Sequence, residues 1–308
     1  MSQSSGPPYA STIAGSGGVP SIIPDVPISA VFICLFICSA AANMTILQVN
    51  RRRGHKFAIS GVLFGFSTAR ITTLVLRIVW ANRQTNVRLA LAANIFVNAG
   101  VLLLYIVNLL FAQRILRAKQ PPLGWHGALR VAFRSAYACV VGSLVMIIVA
   151  VVLQAYTRDA HVRQVCRDLQ LAASTFFLVV AAAPLLVLGL ATLLPRHDDE
   201  ESFGHGGHAS KTVIVGLSSL LCVTIAGFKT GATWMPPRPV ADPAWYQSKP
   251  AFYVFVFTLE IVTVGLLTLS RVDKRFHVPD GSKRPGDYSA SLNSSDGYSR
   301  KEDAASGF

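Results

Sequence analysis

Apolar residues in this chain fall into seven unbroken blocks, and the polar gaps between them hold nearly all of the charge. The blocks run over residues 28–49, 57–80, 89–111, 135–156, 169–194, 212–231 and 251–269. Each is long enough to cross a bilayer. The hydrocarbon core is about 30 Å thick and a helix rises about 1.5 Å per residue, so roughly 20 residues suffice. Barrel strands would alternate apolar and polar positions, and soluble helices would show an apolar stripe; neither pattern organises these blocks. Inside lipid, backbone amides are satisfied only within helices or closed barrels, so helices are what is left. The pattern therefore predicts an all-α membrane protein, a bundle of seven transmembrane helices.

Composition agrees, with hydrophobic residues at 52% and charged residues at 14%, against about 25% charged in ordinary soluble domains. Three regions follow. Residues 1–27 are rich in Ser, Gly and Pro with one charge, Asp25, and read as a disordered extracellular tail without a cleavable signal peptide. Residues 28–272 form the seven-helix domain. Residues 273–308 read as a basic juxtamembrane segment followed by a disordered cytoplasmic tail, in which Ser289, Ser291, Ser294 and Ser295 are candidate phosphorylation sites.

Orientation follows from Lys and Arg. One side of the membrane collects Arg51, Arg52, Arg53 and Lys56 after the first block, then Arg114, Arg117, Lys119, Arg130 and Arg134, then Arg196 and Lys211, and the group from Arg271 to Arg284. That side carries 16 Lys and Arg near the membrane, and the other carries seven. The positive-inside rule puts the N-terminus outside and the C-terminus in the cytoplasm. The sequon Asn293-Ser294-Ser295 would be usable only with the opposite orientation, and the charge imbalance outweighs it. The net charge of +13 is accounted for by these loops, so nucleic acid is not an expected partner; Arg271, Lys274 and Arg275 are placed to meet anionic lipid.

The gaps offer little chemistry. Trp125, in the Pro121–His126 stretch, is expected at the headgroup boundary. The run from His197 through Glu201 to His205 and His208 mixes histidines with carboxylates, but its Gly-rich setting reads as a solvated loop rather than a metal site. Residues 232–250, with Pro236, Pro237, Pro239, Trp245 and Tyr246, are either an interfacial loop or a lid. Cys34, Cys38, Cys139 and Cys222 lie in the blocks and Cys166 has no evident partner, so no disulfide framework is expected. No cofactor is implied.

Ionisable residues inside spans are costly and mark candidate sites. Arg70 and Arg77 share one face of span two, Lys229 lies near the end of span six, and Glu260 is near the middle of span seven. Arg70 and Glu260 are expected to pair at mid-depth, as a structural tie or as part of a ligand site or switch. Arg77 and Lys229 are expected to snorkel outward. In span three, Asn94, Asn98, Tyr105 and Asn108 fall on one helix face. That face should point into the bundle, to bond neighbouring helices or to line a polar cavity. Pro184 should bend span five.

Catalytic signatures are missing: there is no His-Glu-x-x-His, no phosphate loop and no Gly-x-Ser-x-Gly elbow, so an enzyme is not expected. Span seven has no lysine for a retinal and no Asn-Pro-x-x-Tyr pattern. Several blocks carry a resemblance instead: Asn108 to Arg114, Gly124-Trp125-His126, Cys166 to Gln170, Pro237-Arg238-Pro239, Pro243 to Tyr246 and Arg271 to Phe276. Together they resemble an uncharacterised family of fungal seven-transmembrane proteins often labelled family-C-like G-protein-coupled receptors. The resemblance covers roughly residues 50–280 and implies no catalytic or ligand residues. The function expected is that of a receptor-like sensor in the plasma membrane. An unknown small ligand would enter from outside, and a cytoplasmic signalling partner would meet the basic inner loops. A transporter or lipid-translocating protein is the alternative.

Overall fold

A computed structural model of the chain describes residues 6–53, 57–195, 200–279, 281–282 and 284–289. Seven helical spans, 21 to 34 residues long, are apolar and long enough to cross a membrane. They are α1 (Asp25–Arg52), α2 (Ala58–Asn82), the pair α3 (Val87–Ala99) and α4 (Leu102–Lys119), α6 (Gly127–Tyr156), α7 (Ala160–Leu193), α8 (His208–Trp234) and a composite seventh span. A short α5 (Pro121–Gly124) links α4 to α6. The seventh span comprises α9 (Lys249–Phe252), a π-helical stretch (Tyr253–Thr258) and α10 (Leu259–Leu269), and α11 (Val272–Arg275) follows it. No strand occurs among the described residues. The chain is an integral, multi-pass membrane protein whose lateral surface meets the lipid bilayer.

Helices overrun the apolar blocks because polar end residues continue them beyond the hydrocarbon. α7 begins nine residues before its block, where the Asp159 carboxylate accepts from His161 N at 2.8 Å and caps it. Asn86 caps α3 in the same way, accepting from Leu89 N at 3.1 Å.

Span three is the most enclosed element and span four, α6, the least. α4 packs on α7 and α8, α1 packs on α2 and α10, and α8 also touches α10 and the π-helical stretch. Phe36, Phe66, Phe111 and Phe257 are fully buried at these seams. Outward faces carry exposed Val31 and Leu35 on α1, Val145 and Val149 on α6, Leu186 on α7 and Leu217 on α8. Such a belt of exposed aliphatic side chains is stable only against lipid.

The described parts of both terminal segments pack against the bundle. Ile13 bridges Pro239, Ala14 N donates to Arg238 O at 2.9 Å, and Gln247 Nε2 donates to Ala14 O at 2.9 Å. Residues 6–24 thus lie across the 235–248 loop and close that end of the bundle. At the other end, Gly286 N and Tyr288 N donate to the Glu201 carboxylate at 2.8 and 2.9 Å. Tyr288 packs on Trp125 and Phe203, and Phe203 packs on Phe276. Low apolar periodicity concealed these few aromatic anchors. Trp125 is buried here, with Arg117 over its ring at 4.5 Å. The candidate tail positions Ser291, Ser294, Ser295 and Asn293 lie outside the described residues, as do Lys56, Arg196, His197, Asp198, Asp199 and Lys283.

Candidate functional site

The site is built around a break in span three. At Gly100 and Val101 the helix tightens: Leu103 N bonds Gly100 O at 3.2 Å and Leu104 N bonds Val101 O at 3.0 Å. A helix break exposes carbonyls that other donors must satisfy. Here Phe96 O and Val97 O accept from Arg70 Nη1 at 3.0 and 3.1 Å, and Val97 O also accepts from Lys229 Nζ at 3.0 Å. Gly100 is what lets the guanidinium in, because a Cβ at that position would stand 3.0 Å from Arg70 Cζ.

Arg70 reaches across to span seven. Its Nη2 donates to Glu260 Oε1 at 2.6 Å and its Nε lies 2.5 Å from Oε2, with both side chains fully buried. The guanidinium also lies near the rings of Phe66 and Phe257, 5.5 and 5.9 Å from their centroids. One cation therefore joins spans two, three and seven, and Lys229 adds span six through the shared carbonyl. The π-helical stretch that precedes Glu260 shifts the phase of span seven, and no propensity in the sequence signals it.

Arg77 reaches the end of the bundle where α1 begins, and it is covered there: it is 3% exposed, and its Nη2 donates to Gly17 O at 2.7 Å and to Asp25 Oδ1 at 3.1 Å. Lys249 Nζ is 2.6 Å from the other Asp25 oxygen, and Tyr253 Oη donates to Oδ1 at 2.9 Å. The N-terminal segment supplies the acceptors that cover Arg77 at that end. Lys229 instead bonds Val97 O within the bundle.

The predicted polar face of span three divides. Tyr105 and Asn108 are buried, whereas Asn94 and Asn98 are exposed. The tightened turn adds only about 20° per residue, too little to separate the two halves, so the difference lies in how far neighbouring helices cover each. Asn108 bonds across helices: it accepts from Ser218 Oγ at 2.8 Å and donates to Cys222 Sγ at 3.2 Å. Asn94 takes no part in the site. Asn98 and Tyr105 line a cavity of about 110 Å³ between spans three, four, five and six. Lys229, Gln170, Thr230 and Phe177 complete its wall. Gln170, Ser174 and Thr230 were not among the expected residues, and isolated polar residues of this kind in α7 and α8 carry no periodic signal.

A family model described as "Protein of unknown function (DUF3112)" matches residues 202–277. The match spans α8 to α11 and so includes Lys229 and Glu260. No curated protein and no solved structure matches the chain.

Proposed function

We propose that the protein is a receptor-like sensor of the plasma membrane, with its N-terminus outside and its C-terminus in the cytoplasm. One observation carries the reading: Lys229, a wall of the cavity, shares the Val97 carbonyl with Arg70, which holds Glu260. Occupancy of the cavity bears directly on the junction of spans two, three, six and seven. A ligand that binds one arrangement of this junction better than another shifts the population of the bundle. The resemblance to family-C-like seven-helix receptors and the charge bias of the loops support the same reading. It assigns the protein no catalytic step.

Part of the basic inner surface is already engaged. Arg114 Nη1 donates to Phe276 O, and Arg275 donates to Ser270 O at 2.9 Å and Ser210 Oγ at 2.9 Å. Arg51, Arg52, Arg53, Arg134 and Lys274 are exposed and form the surface for a cytoplasmic partner. Closure of both bundle ends by packed segments favours a sensor over the transporter or lipid-translocating alternative. Co-reconstitution with heterotrimeric G proteins in proteoliposomes tests this. Nucleotide exchange that depends on an added nutrient, peptide or lipid, without its passage into the lumen, is the expected result. Flux of the compound without exchange would replace the sensor with a transporter.

A further inference from the structure

The cavity has a chemistry of its own. Two cations, Arg70 and Lys229, meet one carboxylate, Glu260, at this depth. Glu260 is committed to Arg70 on both oxygens. Lys229 Nζ has the Val97 carbonyl as its hydrogen-bond acceptor, and the residue lines the cavity. Tyr105 adds a second, independent signal. It is 1% exposed, lines the cavity, and its hydroxyl has no hydrogen-bond partner among the described residues. The Lys229 amine and the unpartnered Tyr105 hydroxyl, on two walls of one space, are both hydrogen-bond donors and so complementary to a compact anion.

Another wall is apolar except for Asn98. Asn98, Ile147, Val151 and Phe177 belong both to the cavity and to a small adjoining groove of about 10 Å³, which Leu144 and Ile148 of α6 also line. That groove lies beside exposed Val145 and Val149, on the lipid-facing side of the least enclosed span. An occupant therefore has a small anionic head and an apolar chain leading toward the bilayer.

We infer that the cavity binds a single-chain carboxylate amphiphile taken from the membrane, its carboxylate on Lys229 Nζ and Tyr105 Oη and its chain along the groove between α3 and α6. This deepens the sensor reading and rests on it for its meaning, not for its test. The carboxylate competes with Val97 O for Lys229, which leaves Arg70 as the donor side chain on the span-three break.

Direct binding of radiolabelled oleate to the full-length protein in zwitterionic nanodiscs tests the assignment, with oleyl alcohol and methyl oleate as competitors. Oleate should bind saturably and compete about tenfold or more better than either neutral analogue. Lys229→Gln should weaken binding by about tenfold or more, Lys229→Arg should retain part of it, and Tyr105→Phe should cost several-fold. Val151→Trp, which fills the groove, should abolish binding. Thermal unfolding of each variant separates lost binding from lost fold, and Tyr105→Phe decides if Lys229→Gln does not fold. Equal competition by the neutral analogues, or unchanged oleate affinity in a folded Tyr105→Phe and Lys229→Gln pair, overturns the proposal. Oleate binding without any signalling response leaves the site standing and removes the sensor. Signalling to another ligand without oleate binding does the reverse.

Discussion

Replacing Glu260 with Gln removes a charge from the middle of the bundle while keeping side-chain volume and the Oε1 acceptor. Arg70 would then be a fully buried cation without a counter-charge. Unit charges ~4 Å apart attract by about 4 kcal/mol at an effective dielectric constant of about 20. Arg70 retains the Phe96 and Val97 carbonyls and the nearby Phe66 and Phe257 rings, which recover part of that loss. Breaking a buried pair from one side costs about 3–5 kcal/mol, and the retained contacts place this variant near the lower end, about 3 kcal/mol. Arg70→Met should cost a similar amount, because it strands the Glu260 carboxylate. The double variant Arg70→Met/Glu260→Leu should cost less than either single change, since no unpaired charge is left in the bundle. Simple reversal of the two charges should rescue poorly, because a carboxylate at position 70 would face two carbonyl oxygens. SDS-titrated unfolding in mixed micelles, followed through the fluorescence of buried Trp80 and Trp125, measures all four variants. Additive losses in the double variant, or a Glu260→Gln protein as stable as the parent, would refute the assignment of this pair as the tie between spans two and seven.

Three further outcomes are expected. Gly100→Ala should destabilise the protein by about 1–3 kcal/mol, because its Cβ presses on Arg70; the same change in an open helix would stabilise by up to about 1 kcal/mol, so the sign of the change in unfolding midpoint decides. Glu201→Ala removes the acceptor for Gly286 N and Tyr288 N and should speed chymotryptic cleavage after Tyr288 by roughly tenfold or more, as loss of a charge-assisted bond predicts; unchanged kinetics would mean that the aromatic contacts alone hold the segment. Burial pushes the Asp273 carboxyl up, but hydrogen bonds from Arg271 and Asn50 and the Arg271 charge outweigh it, so the folded value lies below the ordinary 3.8. A lowered folded value contributes stability above the unfolded value, and that stability is lost as pH falls through the folded one. The stability gap between the parent and Asp273→Asn should therefore be full at neutral pH and close below about pH 4; a gap that widens in acid would contradict it.

Seven uninterrupted apolar blocks determined the class of fold, because lipid admits few ways to satisfy a buried backbone and hydropathy reads that constraint directly. The rarity of intramembrane charge likewise made Arg70 and Glu260 visible as candidates. Tertiary structure decided the rest. Neighbouring helices covered Tyr105 and Asn108 but not Asn94 and Asn98, and the turn at Gly100 freed the Val97 carbonyl that gathers Arg70 and Lys229. A carbonyl acceptor is present at every position of the sequence, so which one becomes available is settled only when the helices pack. Arg77 shows the same limit: residue spacing placed it near a helix end, but only the fold shows the segment over that end whose Gly17 O and Asp25 cover it.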